Sequence, residues 1–188
     1  QVKYLARART KLPSYYEARC ILPPLAFEQA SSEACAARKS CSGERVLDLT
    51  CGLGVDALYL SKRFREVITL ERDATLAAVA GENFRRLGAT NIRVINSSAE
   101  AFLASTRDHF DWIYADPDRR SAEGRKLVRL EDCSPDIPKL LPELRRIAPN
   151  LCVKNSPLFD VGETFRLFGP CRTEVVSLHD ECKEVVVY

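Results

Sequence analysis

The sequence of 188 residues contains no methionine, even at its start, so it is expected to be a piece of a longer protein. It has no apolar run approaching the length that spans a bilayer, and Gln1 to Arg9 hold no apolar signal-peptide core. A membrane location and secretion are therefore disfavoured, and the cytoplasm is the expected compartment. No CxxC pair occurs among the eight cysteines, which stand at 20, 35, 41, 51, 133, 152, 171 and 182. That spacing removes zinc-ribbon and thioredoxin-type sites, and no metal is expected. Cys152, between Leu151 and Val153, sits in a strand-like apolar run where a reduced cysteine packs as a small hydrophobe. Neither sign of charge dominates, with 28 basic against 26 acidic residues and a net charge of +2. Nucleic acid is not drawn by the net field, and any basic surface must be local. Internal repeats and low-complexity tracts are absent.

The apolar fraction of 46% is ordinary for a folded domain, and the length suits one large domain with a small extension. Residues 1–40 read as an N-terminal helical extension: a basic helix over 1–12 and a second helix over Leu25 to Lys39. From residue 41 onward strands and helices alternate. Strands are expected at Arg45 to Leu49, Val67 to Glu71, Ile92 to Asn96, Phe110 to Ala115 and Asn150 to Lys154. Helices are expected at Val55 to Arg63, Ala74 to Leu87, Ala99 to Ser105 and Ile137 to Ile147. In the second of these helices Leu76, Val79, Ala80, Asn83, Phe84 and Leu87 recur at helical spacing, with Asp73 as N-cap and Gly88 following. Alternation of this kind argues for a parallel sheet with helices on both faces. The last two strand patterns, 174–179 and 183–188, are too close for a crossover helix and must form an antiparallel hairpin. Five parallel strands closed by a hairpin make an α/β, Rossmann-like, seven-stranded mixed sheet, which resembles that of the class I S-adenosylmethionine-dependent methyltransferases. Residues 41–188 are assigned to that domain.

Three segments carry chemistry. In Val46-Leu47-Asp48-Leu49-Thr50-Cys51-Gly52-Leu53-Gly54-Val55-Asp56 a strand runs through a glycine turn into a helix, so Gly52 and Gly54 allow close backbone approach at the carboxyl end of the strand. A tight turn with no ligand fits this segment equally well. Glu71 ends the next strand 23 residues after Asp48, where a carboxylate accepts hydrogen bonds from both hydroxyls of a ribose. Nicotinamide dinucleotides and S-adenosylmethionine share that ribose. Val55-Asp56-Ala57 replaces the third glycine of the dinucleotide fingerprint, which favours a ligand without a pyrophosphate. At the end of the third strand Ser98 stands where an adenine contact is expected, or else it caps the following helix.

The third segment, Asp111-Trp112-Ile113-Tyr114-Ala115-Asp116-Pro117-Asp118-Arg119-Arg120, closes the fourth strand with a polar-proline turn. It resembles the (Asp/Asn)-Pro-Pro-aromatic turn of enzymes that methylate base amino groups, in which the acid or amide orients the amine. Here Asp118 replaces the second proline and Arg119 the aromatic. Arg119, Arg120, Arg125, Lys126 and Arg129 form a local basic excess suited to phosphates, or a solvated, partly self-neutralised loop. Lys154 ends the fifth strand and opens Lys154-Asn155-Ser156-Pro157. No cysteine stands in the turns after strands four and five, which disfavours methylation of a pyrimidine carbon through a cysteine adduct.

The segments LAFEQASSEACA, VLDLTCGLGVDAL, DWIYADPDRR, VKNSP and DECKEVVVY together resemble a group of bacterial class I methyltransferases in which a THUMP-like domain follows the methyltransferase domain. The likeness covers about residues 10–188. It implies S-adenosyl-L-methionine as cofactor, RNA as substrate, and a THUMP-like domain beyond the last strand. It also places Ser31 and Ser32 near the methionine end of the cofactor. The expected cofactor residues are Asp48, Thr50, Gly52, Gly54 and Asp56 for the amino-acid portion and its turn, Glu71 for the ribose, and Arg72, Ser98 and Ala99 around the adenine. Asp116 is expected to border the cofactor and, with Pro117, to orient the acceptor, and Arg119 and Lys154 to position the substrate. A non-catalytic cofactor- or RNA-binding module and a nicotinamide-dependent oxidoreductase are the alternative functions.

Overall fold

The computed structural model describes residues 2–118 and 129–188. Contacts divide the chain into two compact units, Gln1–Ser98 and Ala99–Tyr188. Seven strands form a mixed sheet in the order β3-β2-β1-β4-β5-β7-β6, which is the architecture that the alternating pattern implies. No helix among the described residues is long and apolar enough to cross a membrane.

In the first unit, helices α1 (Val2–Lys11), α2 (Pro13–Glu17), α3 (Pro24–Gln29) and α4 (Glu33–Ala36) precede β1 (Gly43–Asp48). Helix α5 (Val55–Leu60), β2 (Phe64–Glu71), α6 (Ala74–Arg86) and β3 (Ile92–Asn96) complete it. β1 pairs with β2 and β2 with β3, both in parallel. The single helix expected over Leu25 to Lys39 is two short ones. The chain becomes extended at Ala30 and Ser32, whose hydroxyl accepts from the Cys35 N–H at 3.2 Å and caps α4. Serine side chains compete with the helical backbone in this way, so the Ser31-Ser32 pair interrupts a stretch of good helix formers. In α6 the buried face is Ala77, Ala80, Asn83 and Phe84, with Asp73 capping through the Leu76 N–H at 2.8 Å. Asn83, fully buried, exchanges two hydrogen bonds with the backbone of Ile21 at 2.7 and 2.9 Å, which ties the N-terminal helices to α6.

The second unit contains α7 (Ala99–Ser105), β4 (Trp112–Ala115), a 3-10 turn at Leu130–Asp132 and α8 (Ile137–Ile147), followed by β5 (Asn150–Asn155), α9 (Gly162–Phe168), β6 (Thr173–Leu178) and β7 (Glu181–Val187). β4 and β5 are parallel, whereas β7 runs antiparallel to both β5 and β6. The hairpin turn has two residues, His179 and Asp180, both at positive φ (51° and 60°), which matches the right-handed twist of the flanking strands. Helix α9 was not expected from the sequence. It buries only Thr164 and leaves Phe165 exposed, so it shows no apolar stripe to read. All eight cysteines are free thiols, six of them buried.

Candidate functional site

In the first unit the chemistry gathers at the carboxyl ends of β1 and β2. Asp48 is 1% exposed. One carboxylate oxygen accepts from the Thr50 N–H (2.9 Å) and hydroxyl (3.2 Å), the other from the Thr69 hydroxyl (2.7 Å). Burial pushes its pKa up to about 7, and these hydrogen bonds pull against the rise. The structure thus corrects the expected contact between Asp48 and a ligand: the side chain lies under the turn and braces it, with Thr50 as its partner. The neighbouring Cys51 thiol is pushed up by the same burial and by Asp48, which favours its neutral form over the thiolate.

The two glycines of the turn differ. Gly52 has φ +55°, and a Cβ built on it would meet nothing within 4 Å, so its outer side is open. Gly54 has φ +87°, and a Cβ there would run into the Phe84 ring of α6. Gly54 is therefore required for packing α5 against α6, which is a different role from the ligand approach expected of it. The turn is also held from the N-terminal helices, where the buried Tyr15 hydroxyl donates to the Leu53 carbonyl at 3.1 Å.

Glu71, half-buried at the end of β2, is joined to this turn. Its Oε2 accepts from the Gly52 N–H at 2.9 Å and its Oε1 from the Asp73 N–H at 3.0 Å. Two backbone donors fix the carboxylate plane, and each oxygen has a second lone pair. Asn96 at the end of β3 donates to the carbonyls of Glu71 (2.8 Å) and Arg72 (3.2 Å) and so fixes the strand end, a role that sequence reading missed. Arg72 is exposed and Ser98 half-buried. Asp56 faces the N-terminal helices: it accepts from the Ser31 hydroxyl at 2.7 Å and lies 3.6 Å from the ammonium of Lys39, which is 2% exposed. Lys39 was also missed, because a lysine ending a helical stretch reads as a solvated residue.

In the second unit, β4 and β5 are in register at Ala115 and Val153, which brings the next residues, Asp116 and Lys154, level. The Lys154 ammonium donates to Asp116 Oδ2 at 2.5 Å. It also lies 4.0 Å from Oε2 of Glu184 on β7. Lys154 is 7% and Glu184 2% exposed, whereas Asp116 is partly open. Lys154, expected to position substrate, directs its buried ammonium at the Asp116 carboxylate. Pro117 is buried, and Asp118 exchanges backbone hydrogen bonds with Ser134 at 2.7 and 3.1 Å. Ala99 is buried in the first turn of α7. Arg119, Arg120, Arg125 and Lys126 lie outside the described residues. Arg129 is exposed, 3.5 Å from Glu131, a carboxylate that Arg166 also holds at 2.7 Å. Among the described residues no cluster of three or more His, Cys, Asp or Glu side chains could hold a metal ion.

Comparison with known proteins places the chain among methyltransferases by similarity. The family described as a methyltransferase domain matches residues 46–123, a stretch that contains the glycine turn, Glu71, Ser98 and Asp116. The 23S rRNA (uracil(1939)-C(5))-methyltransferase of Stenotrophomonas maltophilia is 44% identical over 82 residues, 42% of this chain and 18% of that protein. Ribosomal RNA small subunit methyltransferase J of Coxiella burnetii is 31% identical over 127 residues, 60% of this chain and 50% of that protein. A Porphyromonas gingivalis W83 crystal structure described as a candidate methyltransferase superposes with a TM-score of 0.84 at 30% identity, over 100% of this chain and 48% of that one. The chain therefore has the class I methyltransferase fold and rRNA methyltransferase relatives, and it spans half or less of the length of these proteins.

Proposed function

We propose that this chain is the cofactor-binding and acceptor-orienting domain of an S-adenosylmethionine-dependent methyltransferase that modifies a base in RNA. The observation that carries the cofactor is the Glu71 carboxylate, held by the N–H groups of Gly52 and Asp73 at 2.9 and 3.0 Å beside a glycine whose outer side is open. Two fixed acceptor oxygens side by side suit the vicinal hydroxyls of a ribose. The missing third glycine at Val55-Asp56-Ala57 argues against a pyrophosphate. These residues fit the nucleoside part of S-adenosylmethionine.

The cofactor supplies a methyl group on an already activated sulfonium, so the protein's contribution is binding and orientation. Gly52 and Glu71 hold the ligand, while Asp48, Thr50 and Tyr15 keep their turn in shape. Arg72 and Ser98 border the adenine. Asp116, pinned by Lys154, accepts a hydrogen bond from the acceptor group and fixes its approach. The reading of RNA as substrate is supported by the relatives, which are rRNA methyltransferases by name. The THUMP-like-domain family named above is the proposed membership, and a domain of that kind would supply further grip on RNA. Mass spectrometry of RNA nucleosides from cells with and without the gene tests the proposal. One methylated nucleoside missing from the deletion strain is expected, and identical nucleoside profiles would remove RNA as the substrate.

A further inference from the structure

The segment Glu181-Cys182-Lys183-Glu184 has no part in the function derived so far, although one of its carboxylates is among the most buried charges of the chain. Its position follows from topology. β7 runs antiparallel to β5, with Lys154 opposite Val186, so the amino-terminal part of β7 lies beside the carboxyl end of β5. Side chains alternate along a strand, so Glu184 shares the face of Val186 and thus of Lys154. β4 delivers Asp116 to the same row from the other side of β5, through the register of Ala115 with Val153. Three charged residues on three neighbouring strands meet: Asp116 Oδ2 at 2.5 Å and Glu184 Oε2 at 4.0 Å from the Lys154 ammonium.

We propose that Glu184 is a positioning residue for methyl transfer, acting through Lys154 on the carboxylate of Asp116. The proposal rests on the role given to Asp116 above. A lysine has four flexible carbons and carries its ammonium toward water where it can. Asp116 is the more open of its two carboxylate neighbours, so attraction to Asp116 alone leaves the ammonium able to swing outward with it. Glu184, 2% exposed on the far side, holds the ammonium inward. Burying a second carboxylate is costly to the fold, and a lysine that served only packing would not need it.

The test has two arms on the same variants, Glu184→Gln, Glu184→Asp, Lys154→Met and the double variant Glu184→Gln/Lys154→Met, with affinity for S-adenosylhomocysteine as the check that each is folded. In the first arm, the 15N signal of the Lys154 ammonium, identified by its loss in Lys154→Met, is expected to be protected from water exchange in the parent. Exchange should be about tenfold faster in Glu184→Gln and intermediate in Glu184→Asp. In the second arm, methyl transfer to unfractionated RNA from the deletion strain is expected to fall about tenfold in turnover with KM unchanged in Glu184→Gln. Because Glu184 acts through Lys154, adding Glu184→Gln to Lys154→Met should cost nothing further. Unchanged ammonium exchange in Glu184→Gln, or losses that multiply in the double variant, would overturn the proposal. A parent protein that binds S-adenosylhomocysteine but transfers nothing to RNA would count against the substrate reading alone, and the ammonium arm would still decide the role of Glu184.

Discussion

The carboxylates of the two units are satisfied by different partners. In the first unit Asp48 and Glu71 are held by backbone N–H groups and hydroxyls, all neutral donors. In the second, Asp116 and Glu184 flank a lysine ammonium. Neutral donors fix where a carboxylate points without cancelling its charge, which at Glu71 suits gripping neutral hydroxyls and at Asp48 braces the turn. An ion pair fixes direction more strongly and sets the charge of its surroundings, which serves for orienting a reacting group. On the proposed reading one half binds and the other aligns, and changes in each should appear in different measurements.

The largest expected effect lies in the aligning half. Asp116→Ala should lower turnover by about a hundredfold or more, because proximity and orientation are the main contribution the protein makes. Single-turnover transfer to RNA measures it, and a variant retaining its rate would assign the acceptor to another group.

Next come the two glycines of the binding half, which sharpen the comparison within it. Gly54→Ala should destabilise the fold by about 1–3 kcal/mol, since its methyl group collides with the Phe84 ring at φ +87°. Gly52→Ala, at φ +55° with open space around it, should cost about 1 kcal/mol. Urea unfolding of both variants checks this, and equal losses would show that Gly54 is not a packing residue.

A further effect, in pH dependence rather than packing, concerns Asp48. Its pKa is raised to about 7 by burial, against about 3.9 in an unfolded chain. Below about pH 4 the carboxyl is protonated in both states. Between about 4 and 7 the unfolded chain gives up the proton while the folded one keeps it, so the Asp48 contribution to stability falls as pH rises through that window and levels off above it. Asp48→Asn removes this slope and keeps an acceptor for the Thr50 N–H, so its urea midpoint should gain on the parent between pH 5 and pH 8. A gap between the two proteins that stays constant with pH would contradict the burial of the charge.

Much of this was legible in the sequence. Strand and helix alternation, the short connection before the last strand and the 23-residue interval from Asp48 to Glu71 are local patterns, and local patterns survive folding. What was not legible depends on long-range contacts. Ser31 and Ser32 break a helix that composition favours, because one hydroxyl goes to Asp56 and the other caps α4. Lys39 looks like a solvated cation and Lys154 like a substrate contact in the chain, and only packing shows each buried beside a carboxylate. Glu184 could be placed beside Lys154 only once the antiparallel register of β5 and β7 was known. Gly54 was read as a ligand glycine because the side chain that explains it, Phe84, is 30 residues away in the sequence.

The division of labour between the halves is tested most directly by calorimetric titration of S-adenosylhomocysteine into the parent, Glu71→Ala and Asp116→Ala. Loss of hydrogen bonds to a charged acceptor is worth about 1.5–3 kcal/mol, so Glu71→Ala should bind roughly ten- to a hundredfold more weakly, and Asp116→Ala should stay within a few-fold of the parent. Unchanged affinity in Glu71→Ala, or an equal loss in both variants, would contradict the account.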